Sequence, residues 1–285
     1  MRRQTRIGRT LLSLITLVLL SLPAFQVRAQ APSASKTIKA RLTVSGSSTL
    51  SPLVSDIARR FEGLHPGVEI DVESGGTGKG VTDVRAGTAD IGMVARPLLT
   101  GERDLFSFPI ARDGVAVVVH RDNPVKAITA AQLSELLTGR LVNWKTLGGR
   151  DAPVNLAWRS PGQGSAELIL ERLNLKREQI RWRVDIGANT EAIKFAAGEP
   201  NGITLVSVGE AERNAHAGVP IKLLAYDGVQ ASSRSIQNHS YLLSRPLTLL
   251  TRHLPQGLQK QFIDYALSDR VVDLQIRYGF VPYQE

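Results

Sequence analysis

From Arg41 onward, apolar and polar positions change period again and again. Residues 42–44 read as a strand, and Leu53, Val54, Ile57, Ala58 and Phe61 then recur at helical spacing over 49–63. A strand over 68–72, a short helix over 79–86 stopped by Gly87 and a strand over 91–94 follow. This β-α-β-α-β series predicts a parallel sheet with crossover helices, a class that gathers ligands at the carboxyl ends of its strands. The run 115–119 after Asp113-Gly114 is uniformly apolar and β-forming, as suits a buried strand passing between lobes.

Beyond it, Ile128-Thr129 opens a helix with Leu133, Leu136 and Leu137 on one face, closed by Gly139. A strand over 154–158 ends at Arg159, and an apolar helix over 166–173 follows. Further expected elements are a helix over 189–197, strands over 202–206 and 221–225, helices over 256–267 and 270–278, and an extended segment over 279–282. Placing the lobe crossings near 115–120 and 221–226 assigns 41–117 and 224–285 to one lobe and 118–223 to the other.

The first 29 residues break this pattern. Arg2, Arg3, Arg6 and Arg9 precede an apolar run over 11–22 and a small-residue site at Val27-Arg28-Ala29, the pattern of a secretory signal peptide cleaved near Ala29. Residues 30–40 read as a flexible leader. The formal charge of +9 shrinks once the five arginines of the signal are set aside, because 30 basic residues then face 26 acidic ones, a net of +4. Such a surface is mildly basic and carries no nucleic-acid stripe. There is no cysteine, so the chain has neither disulfides nor a lipidated cysteine after the signal.

Candidate chemistry concentrates where strands meet helix starts. Ser45-Gly46-Ser47-Ser48-Thr49 joins the first strand to the first helix, and a helix start offers free N–H groups and about half a positive charge to an oxyanion. The same hydroxyls also serve as ordinary N-caps. The loop Ser74-Gly75-Gly76-Thr77-Gly78-Lys79-Gly80 is not a nucleotide P-loop, since Glu73 stands where the first Gly is needed and Gly80 follows the lysine. Its Gly-rich backbone is instead a candidate nest of N–H groups, with Thr77 adding a hydroxyl. Arg159-Ser160-Pro161-Gly162-Gln163-Gly164-Ser165 repeats the strand-loop-helix geometry and adds a guanidinium fork that matches two oxygens of a tetrahedral anion. Two such sites facing each other make a cleft. The five histidines lack metal-ligand spacing and no nucleophile elbow occurs, so neither a metal or cofactor nor an enzyme activity is expected, a phosphate-ester hydrolase included.

With these residues in place, the chain resembles the periplasmic substrate-binding proteins of phosphate-specific ABC transporters, over about 42–283. The marks are Gly46-Ser47-Ser48-Thr49, the Gly-rich loop, Asp90-Ile91-Gly92-Met93 through Arg96-Pro97-Leu98, Asp113-Gly114 and Asp122-Asn123-Pro124. Gly139 to Trp144-Lys145, Gly148-Gly149, Arg159 to Ser165, Tyr241 to Leu247 and Tyr278 to Pro282 complete them. The resemblance implies a two-lobe α/β fold of the periplasmic-binding-protein type (type II) with two hinge crossings, a monomer that closes on inorganic phosphate and delivers it to an inner-membrane permease and its ATPase.

It also implies ligand contacts from the Ser48 and Thr49 hydroxyls, the backbone at Thr49 and Leu50, Thr77, Arg159, Gly164 and Ser165. Gln163, a further candidate ligand contact, replaces a small hydroxyl residue of the family pattern with a long amide. Arg96 either meets the anion or pairs with a carboxylate elsewhere. Val94-Ala95 stand where the family usually has a carboxylate or hydroxyl that accepts a hydrogen bond from protonated phosphate, a loss worth about 1–3 kcal/mol. Weaker discrimination against sulfate or arsenate is therefore expected. The rival expectations are a receptor for another tetrahedral oxyanion such as sulfate, and a secreted or surface scaffold of the same fold.

Overall fold

The computed structural model describes residues 40–283. The expected signal peptide and all of the expected leader except Ala40 lie outside them. Ala40 is not leader: it opens β1 (Ala40–Gly46), in register with Val68 of β2 (Val68–Ser74). β1 lies parallel between β2 and β3 (Ile91–Val94), as the alternating pattern requires. Between these strands run α1 (Ser51–Leu64) and α2 (Thr77–Ala86), the latter stopped by Gly87 in the left-handed region. α1 buries Leu53, Val54, Ile57, Ala58 and Phe61, the five positions its periodicity marks. Each larger one contributes about 1.5–3 kcal/mol of burial.

The strand β4 (Phe106–His120) holds the molecule together. Its first half pairs antiparallel with β11 (Ser244–Thr251), which in turn pairs with β3. Its second half, Val115 to Val119, pairs with β8 (Gly202–Ser207), and its end, Val118 to His120, with β9 (Ile221–Leu223). One strand thus belongs to both sheets, and the first crossing falls at Gly114–Val115.

The second sheet continues from β8 through β6 (Asn155–Arg159) to β7 (Val184–Ile186), all parallel. It is flanked by α3 (Ala130–Leu137), α4 (Gly164–Arg172), α5 (Asn189–Gly198) and α6 (Val208–His216). Thr129 caps α3 through a reciprocal box with Gln132. β5 (Ala127–Ile128) and β10 (Ala225–Tyr226) form a small separate pair. After α7 (Ser233–Gln237) and β11 come α8 (Gly257–Leu267), α9 (Val272–Arg277) and β12 (Val281–Pro282), which returns to β4 beside Arg112.

The second crossing differs from expectation. The strand at 221 does not return to the first lobe, because Leu224, Tyr226, Ala231, Ile236, Tyr241 and Leu243 all join the second core. Leu247 and Leu249 are the first residues back in the other core, so the chain returns at Leu243–Ser244. The lobes are therefore 40–114 with 244–283, and 115–243, in place of the 41–117, 224–285 and 118–223 division. Tyr241 ties the crossings together by donating its hydroxyl to the Val115 carbonyl at 2.8 Å. Among the described residues, no helix is long and apolar enough to cross a membrane.

Candidate functional site

The first lobe brings its turn to the cleft through a backbone that only glycine tolerates. Gly46 has φ +135°, and a Cβ there would lie 2.4 Å from the Met93 carbonyl. The turn then folds on itself: Ser47, only 3 % exposed, takes the Leu50 amide at 3.1 Å and the Ser51 amide at 3.0 Å on its carbonyl. The Leu50 amide, expected to face the anion, is thus used inside the turn, whereas the amides of Ser48 and Thr49 are not part of this internal pattern.

The Gly-rich loop also differs from expectation. Gly75 and Gly76 both donate to the Gly46 carbonyl at 2.9 Å, and Gly78 donates across the cleft to the Gly162 carbonyl at 3.0 Å. Those amides are spent on packing, so the loop is no open nest. What it delivers is Thr77, 1 % exposed, whose Oγ1 accepts the Ala95 amide at 3.1 Å.

The second lobe supplies Arg159 at the end of β6. It is 1 % exposed, donates Nη1 to the Ala188 carbonyl at 2.9 Å, and its Nε has no partner among the described residues. Burial, reinforced by the charge of Arg245, pulls its guanidinium down to about 10. The loop after it leads to α4, whose first residue, Gly164, packs so closely that a Cβ would lie 2.7 Å from both the Ala95 carbonyl and Thr77 Oγ1. Ser165 follows, buried, on the first turn.

Gln163, read as an anion contact, reaches over to the first lobe and accepts a hydrogen bond from Ser48 Oγ at 3.1 Å. Arg96 behaves likewise. It is buried and forms a bidentate pair with Glu102 at 2.6 and 2.8 Å, while its Nε meets Glu167 on α4. Of the two roles open to it in the sequence, the carboxylate partner is the one found, so Arg96 is a latch between lobes and its charge is not offered to the cleft. Ser48–Gln163, Gly78–Gly162 and Arg96–Glu167 together hold the lobes closed.

The sequence reading assigned no role to several residues at the base of the cleft. Arg245, buried on β11, pairs with Asp113 at 2.9 Å, donates Nη1 to the Ala95 carbonyl at 2.9 Å and reaches Thr49 Oγ1 at 3.4 Å. Its Nε also lacks a partner among the described residues. Asn189, the first residue of α5, donates Nδ2 to Thr49 Oγ1 at 3.3 Å and to Glu210 Oε2 at 2.9 Å, and its own Oδ1 is unpartnered. A sequence signal for Arg245 exists: it shares a strand with the buried Leu247, Leu249 and Leu250. For Asn189 and Glu210 no local signal marks the cleft.

Two buried arginines, one from each lobe, thus stand close enough for the charge of Arg245 to lower the proton affinity of Arg159, amid hydroxyls and helix starts. Known proteins resemble this chain over most of its described length. The PBP superfamily domain model matches residues 31–270. The phosphate-binding protein PstS of Bacillus subtilis is 27 % identical over 248 residues, spanning 85 % of this chain and 80 % of the relative. PstS 2 of Streptococcus pneumoniae is 39 % identical over 111 residues, 39 % of this chain and 38 % of the relative. Among solved structures, a putative phosphate ABC transporter substrate-binding protein of Clostridium perfringens with bound phosphate superposes with a TM-score of 0.79 at 28 % identity, covering 86 % of this chain and 100 % of the other. An ABC-type phosphate transport receptor of Vibrio cholerae gives 0.73 at 25 %, covering 85 % and 100 %. This chain, with its two α/β lobes closed on a cationic cleft, belongs to the PBP superfamily.

Proposed function

We propose that this protein captures inorganic phosphate between its lobes for an ABC transporter. The observation that carries the reading is the pairing of Arg159 with Arg245 across the cleft. Like charges in a buried site repel, and each arginine keeps an unpartnered Nε. A tetrahedral anion between them turns that repulsion into two attractions, so binding and closure become one event. Charge-assisted hydrogen bonds of this kind contribute about 1.5–3 kcal/mol each.

Ser48, Thr49, Thr77, Gly164 and Ser165, on the turn and helix starts, would supply the remaining donors. Phosphate is the anion named for the relatives from Bacillus and Clostridium, which supports it here. The work of the site is binding with hinge closure rather than covalent chemistry, and a permease with its ATPase in the inner membrane would receive the ligand. The N-terminal signal pattern supports a periplasmic site of action.

Calorimetric titration of the mature protein, stripped of ligand by partial unfolding, tests this reading. Saturable phosphate binding that Arg159→Met weakens by at least about thirtyfold is the expected result. A folded protein that binds neither phosphate nor sulfate would move the assignment to a scaffold role.

A further inference from the structure

Behind the hinge, on the side away from the anion cleft, lies a cavity of about 750 Å³ that phosphate capture does not use. The strand that crosses between the lobes explains its position. Neighbouring residues of a strand face opposite sides of the sheet. Asp113 turns to the cleft, where it meets Arg245, so Arg112 turns away from it and lines the cavity. The first lobe supplies one wall, with Arg112 on β4, Val272 and Ile276 on α9, and Phe280 just before β12. The second lobe supplies the other, with Arg234 on α7 and His239 shortly after it. Arg112 bridges the two walls by donating Nη1 to His239 Nδ1 at 3.1 Å.

The lining is chemically one-sided. No acid belongs to it, and neither Arg112 nor Arg234 forms an ion pair among the described residues. Against these two cations stands an apolar wall whose Ile276 is 62 % exposed. Between the cavity and the cleft the lobes touch backbone to backbone. Gly209 of α6 gives its amide to Asp113 at 3.3 Å on the cleft side, and a Cβ on it would lie 2.4 Å from the carbonyl of Gly279, which lines the cavity. Two glycines without side chains between them form a pivot.

We propose that this cavity binds a small amphipathic carboxylate, with its charge between Arg112 and Arg234 and its apolar body along Val272 and Ile276. The volume suits a small organic ligand, and charge-assisted bonds from guanidinium groups fix its orientation. Rotation about a pivot moves its two sides oppositely, so closing the cleft spreads the walls behind it and opening the cleft brings them together. An occupant of the cavity therefore resists opening and tightens phosphate binding, a consequence that rests on the assignment of the cleft to phosphate.

Octanoate is the probe, with octanol as its uncharged counterpart, each titrated calorimetrically into the full mature protein. Wild type should bind octanoate saturably and octanol at least about tenfold more weakly. Arg234 and Ile276 are both exposed, so Arg234→Met and Ile276→Glu keep the fold, and each should weaken octanoate by at least about tenfold. No octanoate binding by wild type, or an affinity within about twofold of wild type in folded Arg234→Met, would overturn the inference. Saturating octanoate should in turn tighten phosphate binding by about fivefold or more; unchanged or weaker phosphate binding would overturn the coupling. Failure of wild type to bind phosphate at all would remove the cleft assignment, and the octanoate titrations would still decide the cavity.

Discussion

The two lobes carry their buried charges in opposite ways. In the first, each buried cation is matched within the closed protein: Arg245 by Asp113 at 2.9 Å, and Arg96 by Glu102 at 2.6 Å. In the second, Arg159 forms no ion pair: it donates to a carbonyl, and burial and Arg245 pull its guanidinium down to about 10 against the weaker opposing charges of Glu210 and Glu191. A matched pair contributes to holding the fold, and removing one partner strands the other. An unmatched buried charge costs stability until a ligand arrives. The first lobe is thus built as a platform and the second as the half that needs the anion.

The most severe way to break this comparison is Arg245→Met, which leaves Asp113 buried and uncompensated. A loss of about 3–5 kcal/mol in chemical denaturation is expected. Arg159→Met should do the reverse. Phosphate affinity falls by at least about thirtyfold, as for truncation of a buried charged contact worth about 2–5 kcal/mol, while the ligand-free protein melts no lower than wild type. Equal destabilisation by both substitutions would show that the lobes do not differ in this respect.

Glu210→Gln sharpens the same point from the acidic side. Burial raises the folded-state proton affinity of Glu210 above its usual value near 4.5. The folded state therefore binds its proton more tightly than the unfolded one, and its stability contribution is greatest in acid and lost as pH rises through the raised value. Removing the charge should raise the melting temperature of the ligand-free protein at neutral pH, and the gain should vanish below about pH 4.5.

Glu102 behaves oppositely. Burial opposes its charge, but the Arg96 hydrogen bonds, the Leu99 amide and the charges of Arg96 and Arg85 together outweigh that and hold its carboxyl below the usual range near 4.5. Its contribution is present above that pH and is lost as pH falls through the depressed folded value, so acid should loosen the latch region first, as seen by amide exchange around Arg96. The smallest effect belongs to Glu167→Gln. This partner of Arg96 is 28 % exposed on its side chain, and its loss should cost less than about 1 kcal/mol of stability while shifting ligand-free protein toward the open form in small-angle scattering.

Local signals explain what was legible. The helix over 130–137 follows from Thr129 and Gln132, which bond within one turn, and the face of α1 follows from spacing alone. The loop at 74–80 misled because a glycine run looks the same whether its amides are free or, as here, consumed by Gly46 and Gly162. β11 escaped because its partners, β3 and β4, lie far back in the chain and Arg245-Pro246 breaks the apolar run that would otherwise mark it. The second crossing was misplaced for the same reason: 221–225 is a good strand wherever it pairs, and only its contact with the end of β4 keeps it in the second lobe.

By itself the sequence determined the alternation of strands and helices, the glycine at 46, the hydroxyl turn and the arginine at 159, because these depend on neighbours within a few residues. Only the tertiary structure decided which charges are neutralised. Arg96 and Arg245 are both arginines beside apolar segments, and one becomes a latch and the other a wall of the cleft according to carboxylates brought in by folding. The same folding sets Asn189 of one lobe on Thr49 of the other, a contact that no local pattern marks.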